Sequence, residues 1–456
     1  DGTQATMLIQ YTYDAGTNGI GRLSQIDLPF GQIIYSYDAR GLPALERRSF
    51  ELSETVPMSA AQQVSRTYNA LGQLLLSTWE DGQQWRRTYD ERGLVATVEW
   101  RDPGDDTWQK MADYARNLAG LPMTRNSSYD QTRSYRYDVL GRPISDTATA
   151  QGAVIGERGY SYSDSGDLRS VTGNTNGLPA AANYTYDAQH RLLTATGSNG
   201  YTAAFTYSPG GNVNSANVTW NGSTETRNVR YEYGTTDPQA VDQLTNINGD
   251  DAYARFAYDK PGNMTWRSTP AGSTLIHWDG LEQIRRVDAP GGSESYFYDH
   301  NGARMLAVSQ SQGVRFWFGE SETHYDVNGV QTKRYLHLAG GGPALARVEN
   351  GSTVELQYAD TLQNLMFSLS TSGDVVASFL YGAFGEVVHA EGETDHRRQF
   401  NGKENDAVSG LRYYGYRYYD PLTLRWNSAD PLYRFLPDLG MDVPQSMNLY
   451  AFSMNN

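Results

Sequence analysis

The chain has 456 residues, a formal net charge of −15 and no cysteine. The lack of cysteine excludes disulfides and thiolate chemistry, and the acidic balance argues against nucleic acid or an anionic membrane surface as the main partner. No apolar run reaches the roughly 18 residues of a membrane span, so we expect no transmembrane helix. Residues 1–14 lack the basic start and apolar core of a signal peptide, and they read as an excerpt from a longer protein.

Tyrosine and glycine dominate the composition, with 33 and 46 occurrences. Tyrosine favours strands, and glycine supplies tight turns. Aromatic residues make up 12% of the chain, so much of the buried surface must be aromatic. The composition therefore predicts an all-β chain that is rich in short hairpins.

A motif of the form Tyr-x-Tyr-Asp-x-x-Gly recurs along the chain, at residues 35–41, 135–141 and 296–302, with variants at 88–93 and 256–262. In a strand, residues i and i+2 share one face, so Tyr35 and Tyr37 lie side by side while Ser36 points to the other, water-facing side. Asp38 and Gly41 fit positions i and i+3 of a type I turn, because the carboxylate accepts backbone N–H groups and glycine tolerates positive φ. The motif predicts a unit of strand, turn and strand.

The spacing of the motif indicates structural repeats. Asp259, Asp279 and Asp299 follow one another at intervals of 20 residues. A hairpin cannot bury its face alone, but stacked neighbours build one continuous core. Residues 99–112 look irregular, and we expect a longer loop there. We predict a hairpin array over residues 1–310 and divergent repeats over 311–399.

From Tyr11 onward the motif resembles the YD repeat of the RHS family, which includes bacterial RHS polymorphic toxins, the B and C components of Tc insecticidal toxins and the teneurin shell. The most specific part is residues 400–456, which resemble the RHS-associated core. Its motifs stand in family order: Gly410-Leu411-Arg412-Tyr413-Tyr414, Tyr418-Tyr419-Asp420-Pro421, Arg425-Trp426, Ser428, Asp430-Pro431 and Asn448-Leu449-Tyr450. The resemblance implies an all-β strip of hairpins that spirals into a hollow shell, with tyrosines bracing one turn against the next and the core as a plug at one end.

The resemblance also implies a function. In family members the shell encloses a C-terminal toxin or other effector, and in many members the core cleaves the chain. For this chain it implies a structural shell in a secreted or delivered bacterial polymorphic-toxin system. The implied partners are the C-terminal toxin or effector cargo of the same parent chain and N-terminal shell or delivery-system components, with no nucleic acid and no membrane span.

Family members that cleave themselves use aspartates in the manner of an aspartic protease. Two close carboxylates do not both ionise easily, so one serves as an acid while the other activates water. Asp430 matches the first of these aspartates, and Arg417 matches the associated arginine, whose role is to hold the carboxylate or stabilise an oxyanion. The second aspartate belongs to a part of the family sequence beyond Asn455-Asn456. We therefore expect residues 1–456 alone to be inactive.

Three alternatives stay open. Arg417 and Asp430 could form a plain structural ion pair or turn contact. The chain could be an adhesion or carbohydrate-binding YD-repeat module, teneurin-like or wall-associated and without cleavage, in which case tyrosines should line an outer groove and not pack between hairpins. A free-standing hydrolase is the third alternative, although no convincing catalytic pair is visible. We predict no cofactor and no metal site, because the seven histidines show no metal-ligand spacing and no calcium-loop motif occurs.

Overall fold

The structure is a computed structural model. It describes residues 9–53, 56–222, 227–249, 251–339, 344–393, 396–432, 436 and 447–456. The first eight residues and most of the stretch between Asp430 and Asn448 lie outside the described residues.

The described residues form 39 strands and two short 3-10 helices, at Phe400–Gly402 and Phe452–Asn455. The strands of the first half are β1 (Gln10–Tyr13), β2 (Leu23–Leu28), β3 (Gly31–Tyr37), β4 (Pro43–Leu52), β5 (Met58–Tyr68), β6 (Leu74–Trp79), β7 (Gln84–Tyr89), β8 (Val95–Arg101), β9 (Gln109–Arg116), β10 (Pro122–Asn126), β11 (Gln131–Tyr137), β12 (Pro143–Ala150), β13 (Ala153–Tyr162), β14 (Leu168–Thr175), β15 (Leu178–Pro179), β16 (Ala182–Tyr186), β17 (Leu192–Gly197), β18 (Thr202–Tyr207) and β19 (Val213–Thr219). The second half contains β20 (Arg227–Tyr233), β21 (Val241–Asn246), β22 (Ala252–Tyr258), β23 (Met264–Thr269), β24 (Gly272–Trp278), β25 (Ile284–Ala289), β26 (Gly292–Tyr298), β27 (Arg304–Ser309), β28 (Gly313–Phe318), β29 (Ser321–Tyr325), β30 (Gln331–Ala339), β31 (Ala344–Glu349), β32 (Thr353–Ala359), β33 (Leu365–Ser370), β34 (Val375–Tyr381), β35 (Val387–Gly392), β36 (Glu404–Asn405), β37 (Arg412–Tyr413), β38 (Tyr418–Asp420) and β39 (Arg425–Trp426).

Strands β1 to β35 belong to one 35-stranded sheet, in which each strand pairs antiparallel with the next along the chain. The regular order is interrupted at β14, which pairs with both the two-residue β15 and with β16. The remaining strands, β36 to β39, form a separate four-stranded sheet. The predicted fold class, an all-β array of hairpins, is confirmed.

The repeated Asp-x-x-Gly segments form the predicted type I turns. At Asp38, the N–H of Gly41 donates to the Asp38 carbonyl over 3.0 Å, and the carboxylate accepts the N–H groups of Arg40 and Leu42 over 2.9 Å each. Gly41 has a φ of 88°, a conformation that glycine adopts without a Cβ penalty. The same backbone bond closes the turns that begin at Asn69, Asp90, Asn117, Asp138, Ser163, Ser208, Asp259, Asp299, Asp326 and Ser370.

The second tyrosine of the motif fastens each hairpin to the preceding one. The Tyr137 hydroxyl donates to the Pro122 carbonyl over 2.9 Å, and the Tyr207 hydroxyl donates to the Leu192 carbonyl over 2.7 Å. Each acceptor lies at the start of the neighbouring strand that comes earlier in the chain. Equivalent bonds are made by Tyr37, Tyr68, Tyr89, Tyr162, Tyr233, Tyr298 and Tyr381, and by the indole N–H of Trp278.

The strip winds back on itself, because side chains far apart in sequence meet. Arg48 and Asp299 form an ion pair of 3.1 Å, and the Gln131 side chain donates to the Ser370 carbonyl over 2.6 Å. These partners are 251 and 239 residues apart. We call strands β2–β26 the outer wall and strands β27–β34 the inner layer.

The inner layer is buried on both of its faces. Phe316 packs against Phe50 of the outer wall, with ring centroids 5.1 Å apart, while its neighbour Arg315 points the other way and pairs with Glu404. Most wall-facing residues are apolar and include Val314, Leu336, Leu338, Ala346, Val348, Leu356 and Phe367. Two polar residues on this face, Thr323 and Arg334, bond to Gln62 and Asp81 of the wall. The opposite face carries Arg315, Glu322, Arg347 and Glu355, which contact residues 396–406, and His337, which bonds to Glu322. The polar face of these strands is therefore covered by protein.

The longer loop expected at residues 99–112 is present but shorter than that stretch. Strands β8 and β9 occupy both ends of this stretch, which leaves only residues 102–108 between them. Trp100 is 5% exposed, and Trp108 lies between the guanidinium groups of Arg86 and Arg101, at 4.1 and 4.8 Å from its ring centre. Packing of the two tryptophans holds the strand ends on either side of the charged, turn-forming segment.

Candidate functional site

The C-terminal core, residues 400–456, is built on strands β36–β39 and an aromatic cluster. The ring centroids of Tyr419 and Phe452 are 4.2 Å apart, and those of Trp426 and Phe452 are 5.1 Å apart. Tyr414 meets the same cluster at 5.1 Å from Trp426. Aromatic contacts of this kind replace the long strands that stabilise the rest of the fold.

Buried ion pairs fasten the core to the sheet. Arg304 and Asp406 are 2.7 Å apart, with side chains 2% and 0% exposed. Arg315 pairs with Glu404 over 2.6 Å and with Glu294 over 2.8 Å. Burial raises the pKa of the Glu404 carboxyl. At Glu294 burial also acts to raise the pKa, but the charge of Arg315, together with hydrogen bonds from Arg315 and Tyr296, outweighs burial and holds the pKa below its ordinary value. Removing one partner would leave an uncompensated buried charge, so these pairs fix the position of the core.

Hydrogen bonds add to this attachment on other strands. The hydroxyls of Tyr418 and Tyr298 are 2.8 Å apart, and the Tyr450 hydroxyl donates to the Gly262 carbonyl over 2.8 Å. Asp420, which is fully buried, pairs with Arg267 over 3.1 Å. Sequence reasoning missed these partners, because nothing in the local sequence of an arginine on a repeat strand tells which core carboxylate it will meet.

The two residues predicted for the cleavage site do come together. The Arg417 Nη2 and the Asp430 Oδ2 are 2.8 Å apart, and their side chains are 19% and 21% exposed. The Arg417 guanidinium lies 4.3 Å from the Trp426 ring centre. The N–H of Leu432 donates to Asp430 Oδ1 over 3.0 Å, and the N–H of Asp430 donates to the Leu449 carbonyl over 3.0 Å.

This geometry gives an oriented carboxylate that solvent can still reach. A carboxylate held by an arginine and a backbone N–H can take part in acid–base chemistry if a reacting group comes within hydrogen-bond distance. Trp426 and Leu449 position the pair, and neither was singled out from the sequence for this role. The same contacts are also compatible with a purely structural ion pair. The two interpretations, a cleavage site and a structural pair, predict different effects of an Asp430 substitution on cleavage.

A second titratable cluster lies between the inner layer and the side chains of Glu393 and His396. Within the described part of the chain, Glu355, Glu393 and His396 place ligand-type atoms within 4.8 Å of one another. However, the Arg347 Nη2 is 2.7 Å from Glu355 and 3.3 Å from Glu393, so a guanidinium already supplies positive charge to both carboxylates. The cluster is therefore an ion-pair network. Among the described residues, no helix has the length and apolar character needed to cross a bilayer.

The winding sheet of tyrosine-linked hairpins is the architecture of a YD-repeat shell, and comparison with known proteins agrees with this. The family model described as the teneurin YD-shell matches residues 114–456, and the chain belongs to this family. The RHS and YD-repeat resemblance of the sequence is thereby confirmed.

Toxin proteins are among the similar chains. Toxin subunit YenC2 of Yersinia entomophaga is 26% identical over 373 residues, which cover 72% of this chain and 36% of the relative. Toxin protein Tse5 of Pseudomonas aeruginosa is 28% identical over an alignment length of 525 residues, and the alignment covers 95% of this chain and 38% of the relative. A structure of the Photorhabdus luminescens Tc holotoxin pore shares the fold, with a TM-score of 0.81 at 19% identity, covering 98% of this chain and 24% of that chain. The chain thus spans less than half the length of each of these proteins.

Proposed function

We propose that this chain is part of a shell that encloses a toxin or effector segment of its own parent chain. The observation that carries the proposal is the sandwich of the inner layer between the outer wall and the C-terminal core. The Arg304–Asp406 and Arg315–Glu404 pairs connect the inner layer to that core. A sheet that winds and is covered at its end by the C-terminal core is suited to containment, and the toxin names of YenC2 and Tse5 support this use.

The tyrosines favour the shell over an adhesion module. In the adhesion alternative, the repeated aromatic side chains should be available to a ligand on an outer groove. Here the hydroxyls of Tyr137, Tyr162 and Tyr207 are engaged with backbone carbonyls of the neighbouring hairpin. Their polar groups are used to hold the sheet together, and this is the arrangement that a container wall requires.

The proposal includes self-cleavage in the parent chain. Asp430 would act with a second carboxylate supplied by the segment that follows Asn456. One carboxylate would take a proton from the attacking water while the other, protonated, donates to the scissile carbonyl oxygen. Arg417, at 2.8 Å from Asp430, would hold the carboxylate in place or stabilise the developing oxyanion.

The test is the intact mass of the parent chain, extended past Asn456, beside an Asp430→Asn twin. The substitution keeps the side-chain shape and the acceptor for the Leu432 N–H, so the fold should survive. We expect the wild type to be split and the twin to remain whole. Asp374→Asn, at an exposed turn of the inner layer, is the matched control and should be split like the wild type. If the twin is also split, Asp430 is structural.

The remaining parts of the proposal concern delivery. We propose a secreted or delivered bacterial protein whose other partners are N-terminal shell or delivery-system components. Enclosure is tested by measuring how fast a protease digests the cargo segment in the intact parent chain. If the cargo is digested as fast as a free peptide of the same sequence, the enclosure proposal fails independently of cleavage.

A further inference from the structure

A cavity of about 400 Å³ lies where the outer wall meets the inner layer, and nothing in the proposed function so far uses it. Its wall-side lining comes mainly from strands β13, β14, β16 and β17 and from Tyr201, which directly precedes β18. Its inner-layer lining comes from residues 360–362, 364 and 380–383. The volume is within the range of small-molecule sites, about 300 to 1,000 Å³.

The cavity exists because small residues replace the large ones that fill the seam elsewhere. At a filled part of the seam, Tyr358 and Phe367 stack with ring centroids 4.7 Å apart, and Arg125 covers Tyr358. At the cavity, residues 180–182 are three consecutive alanines, and Gly382 and Ala383 also lie in the lining. This is also the place where β14 pairs with both β15 and β16, so the sheet departs from its regular order there.

The cavity has an aromatic lining with hydrogen-bond donors. Most of the large side chains that line the cavity are tyrosines: Tyr160, Tyr162, Tyr184, Tyr186, Tyr201 and Tyr381. The hydroxyls of Tyr184 and Tyr186 donate no hydrogen bond to any described residue, unlike those of Tyr162 and Tyr381. Flat aromatic faces with donors between them suit a ring that carries, or lies next to, an acceptor group.

Arg158 adds a cation whose donors are poorly used. Its side chain is 11% exposed, yet its Nε has no hydrogen-bond partner among the described residues. Its Nη1 is 3.5 Å from Asp360, and its Nη2 is 3.4 Å from the Thr175 hydroxyl, both at the long limit. Asp360 is meanwhile engaged by the N–H groups of Leu362 and Asn364. A buried guanidinium in this state retains capacity for carbonyl or carboxylate oxygens.

The end of the C-terminal core reaches this cavity. Phe452 is anchored in the aromatic cluster of the core, and the Asn455 side chain donates to the Gly211 carbonyl over 2.8 Å. Residues 453–455 all have positive φ, between 47° and 64°, a conformation that costs free energy in non-glycine residues and persists only where contacts enforce it. The backbone so held brings Asn456 into the cavity wall.

We infer that this tyrosine cavity binds an aromatic side chain of the enclosed polypeptide, together with a backbone carbonyl next to it. The inference rests on the proposed function, in which the parent chain continues past Asn456 into the cargo. The tyrosine rings pack on the bound ring, while Arg158 and the hydroxyls of Tyr184 and Tyr186 donate to its acceptor oxygens. The site would hold the first part of the cargo at the seam, away from the Arg417–Asp430 pair.

The first test uses the 456-residue chain with 4-methylphenol and N-acetylphenylalaninamide as probes, in ligand-observed NMR. Ala182→Leu fills the cavity, and Ala204→Leu is the matched control on an exposed position of β18. We expect both probes to bind the wild type and the control, and to bind Ala182→Leu at least tenfold more weakly. Equal binding by Ala182→Leu, or no binding to the wild type at millimolar probe, would overturn the site. Ala181→Leu repeats the test if Ala182→Leu fails to fold.

The second test identifies the occupant in the parent chain. A photo-crosslinking benzophenone side chain replaces Thr361 at the rim of the cavity, or Thr206 on the exposed face as a control. We expect crosslinks from position 361 to residues that follow Asn456, and none from position 206. Crosslinks confined to shell residues would refute the cargo as the occupant. Cleavage and protease protection, measured on the same samples, report separately on the proposed function.

Discussion

The outer wall and the inner layer are built from the same hairpin repeat but differ in what covers them. In the wall, strand β18 alternates exposed Thr202, Ala204 and Thr206 with buried Ala203 and Phe205. In the inner layer, all six residues of strand β27 are buried. Side chains alternate between two faces in both regions. In the wall one face is exposed to solvent, whereas in the inner layer protein covers both faces. Position in the winding determines which of the two applies.

The comparison predicts its largest effect for an inner-layer ring. Phe316→Ala should destabilise the fold by about 3–5 kcal/mol, because it leaves a cavity against Phe50. Leu275→Ala, on the exposed face of β24, is the control and should stay within about 0.5 kcal/mol of the wild type. Denaturant unfolding measures both. Equal effects would mean that the inner layer is not a packed interior.

The ion pairs on the other face of the inner layer come next. Arg304→Ala should lower the free energy of unfolding by about 3–5 kcal/mol, because it leaves the charge of Asp406 buried without this partner. Limited proteolysis should then cut within residues 406–417, where the core has lost its attachment. The double replacement Arg304→Met with Asp406→Leu should recover much of the loss. Arg40→Ala, in an exposed wall pair with Asp38, should leave the transition unchanged.

Acid should act on the inner layer before it acts on the turns. Burial, with the charges of Arg398 and Arg347, lowers the pKa of His337 to about 4, although Glu322 at 3.0 Å opposes this. An unfolded histidine has a pKa of about 6.5, so between these values the unfolded state binds more protons and stability falls as the pH falls, by up to about 1.4 kcal/mol per pH unit.

His337→Gln should remove this acid-dependent loss, as measured by thermal unfolding between pH 7 and 4 relative to wild type. The turn aspartates also lose their contribution as the pH falls, but in a lower pH window. Backbone hydrogen bonds from residues such as Leu42 lower the pKa of Asp38, so its contribution is present above the unfolded carboxyl pKa and is lost only at lower pH. An unchanged pH profile in the variant would show that His337 is not the group responsible.

The smallest effect is expected for a wall tyrosine. Tyr137→Phe removes one hydroxyl bond to the Pro122 carbonyl and should cost about 0.5–1.5 kcal/mol. Tyr416→Phe is the control, because Tyr416 is 80% exposed. Hydrogen exchange of the amides in β10 and β11 should report the loosening locally. No change in either variant would mean that the tyrosine contributes through its ring alone.

Local rules predicted the repeat well and the winding poorly. The turn at Asp38 follows from the preferences of aspartate and glycine within five residues. By contrast, alternation in β28 suggests a wet polar face, and only the distant residue Glu404 reveals that Arg315 is covered. The Arg417–Asp430 contact was anticipated through the family resemblance, but Trp426 and Leu449 beside it were not. The cavity was missed because it depends on residues from β13, β14, β16 and β17 meeting residues 360–383 across the seam. The domain boundaries at residues 310 and 399 stay predictions.

The tyrosine bonds between hairpins also have a direction in time. Each hydroxyl finds its acceptor earlier in the chain, as Tyr137 does at Pro122 and Tyr298 does at Ile284, only 15 and 14 residues before. During synthesis, every new hairpin emerges when the group that it needs has already been made. The strip can therefore lengthen from its N-terminal end without waiting for distant partners, and contacts this local favour fast assembly. The core is made last among these residues, so the inner layer is covered only after the wall exists.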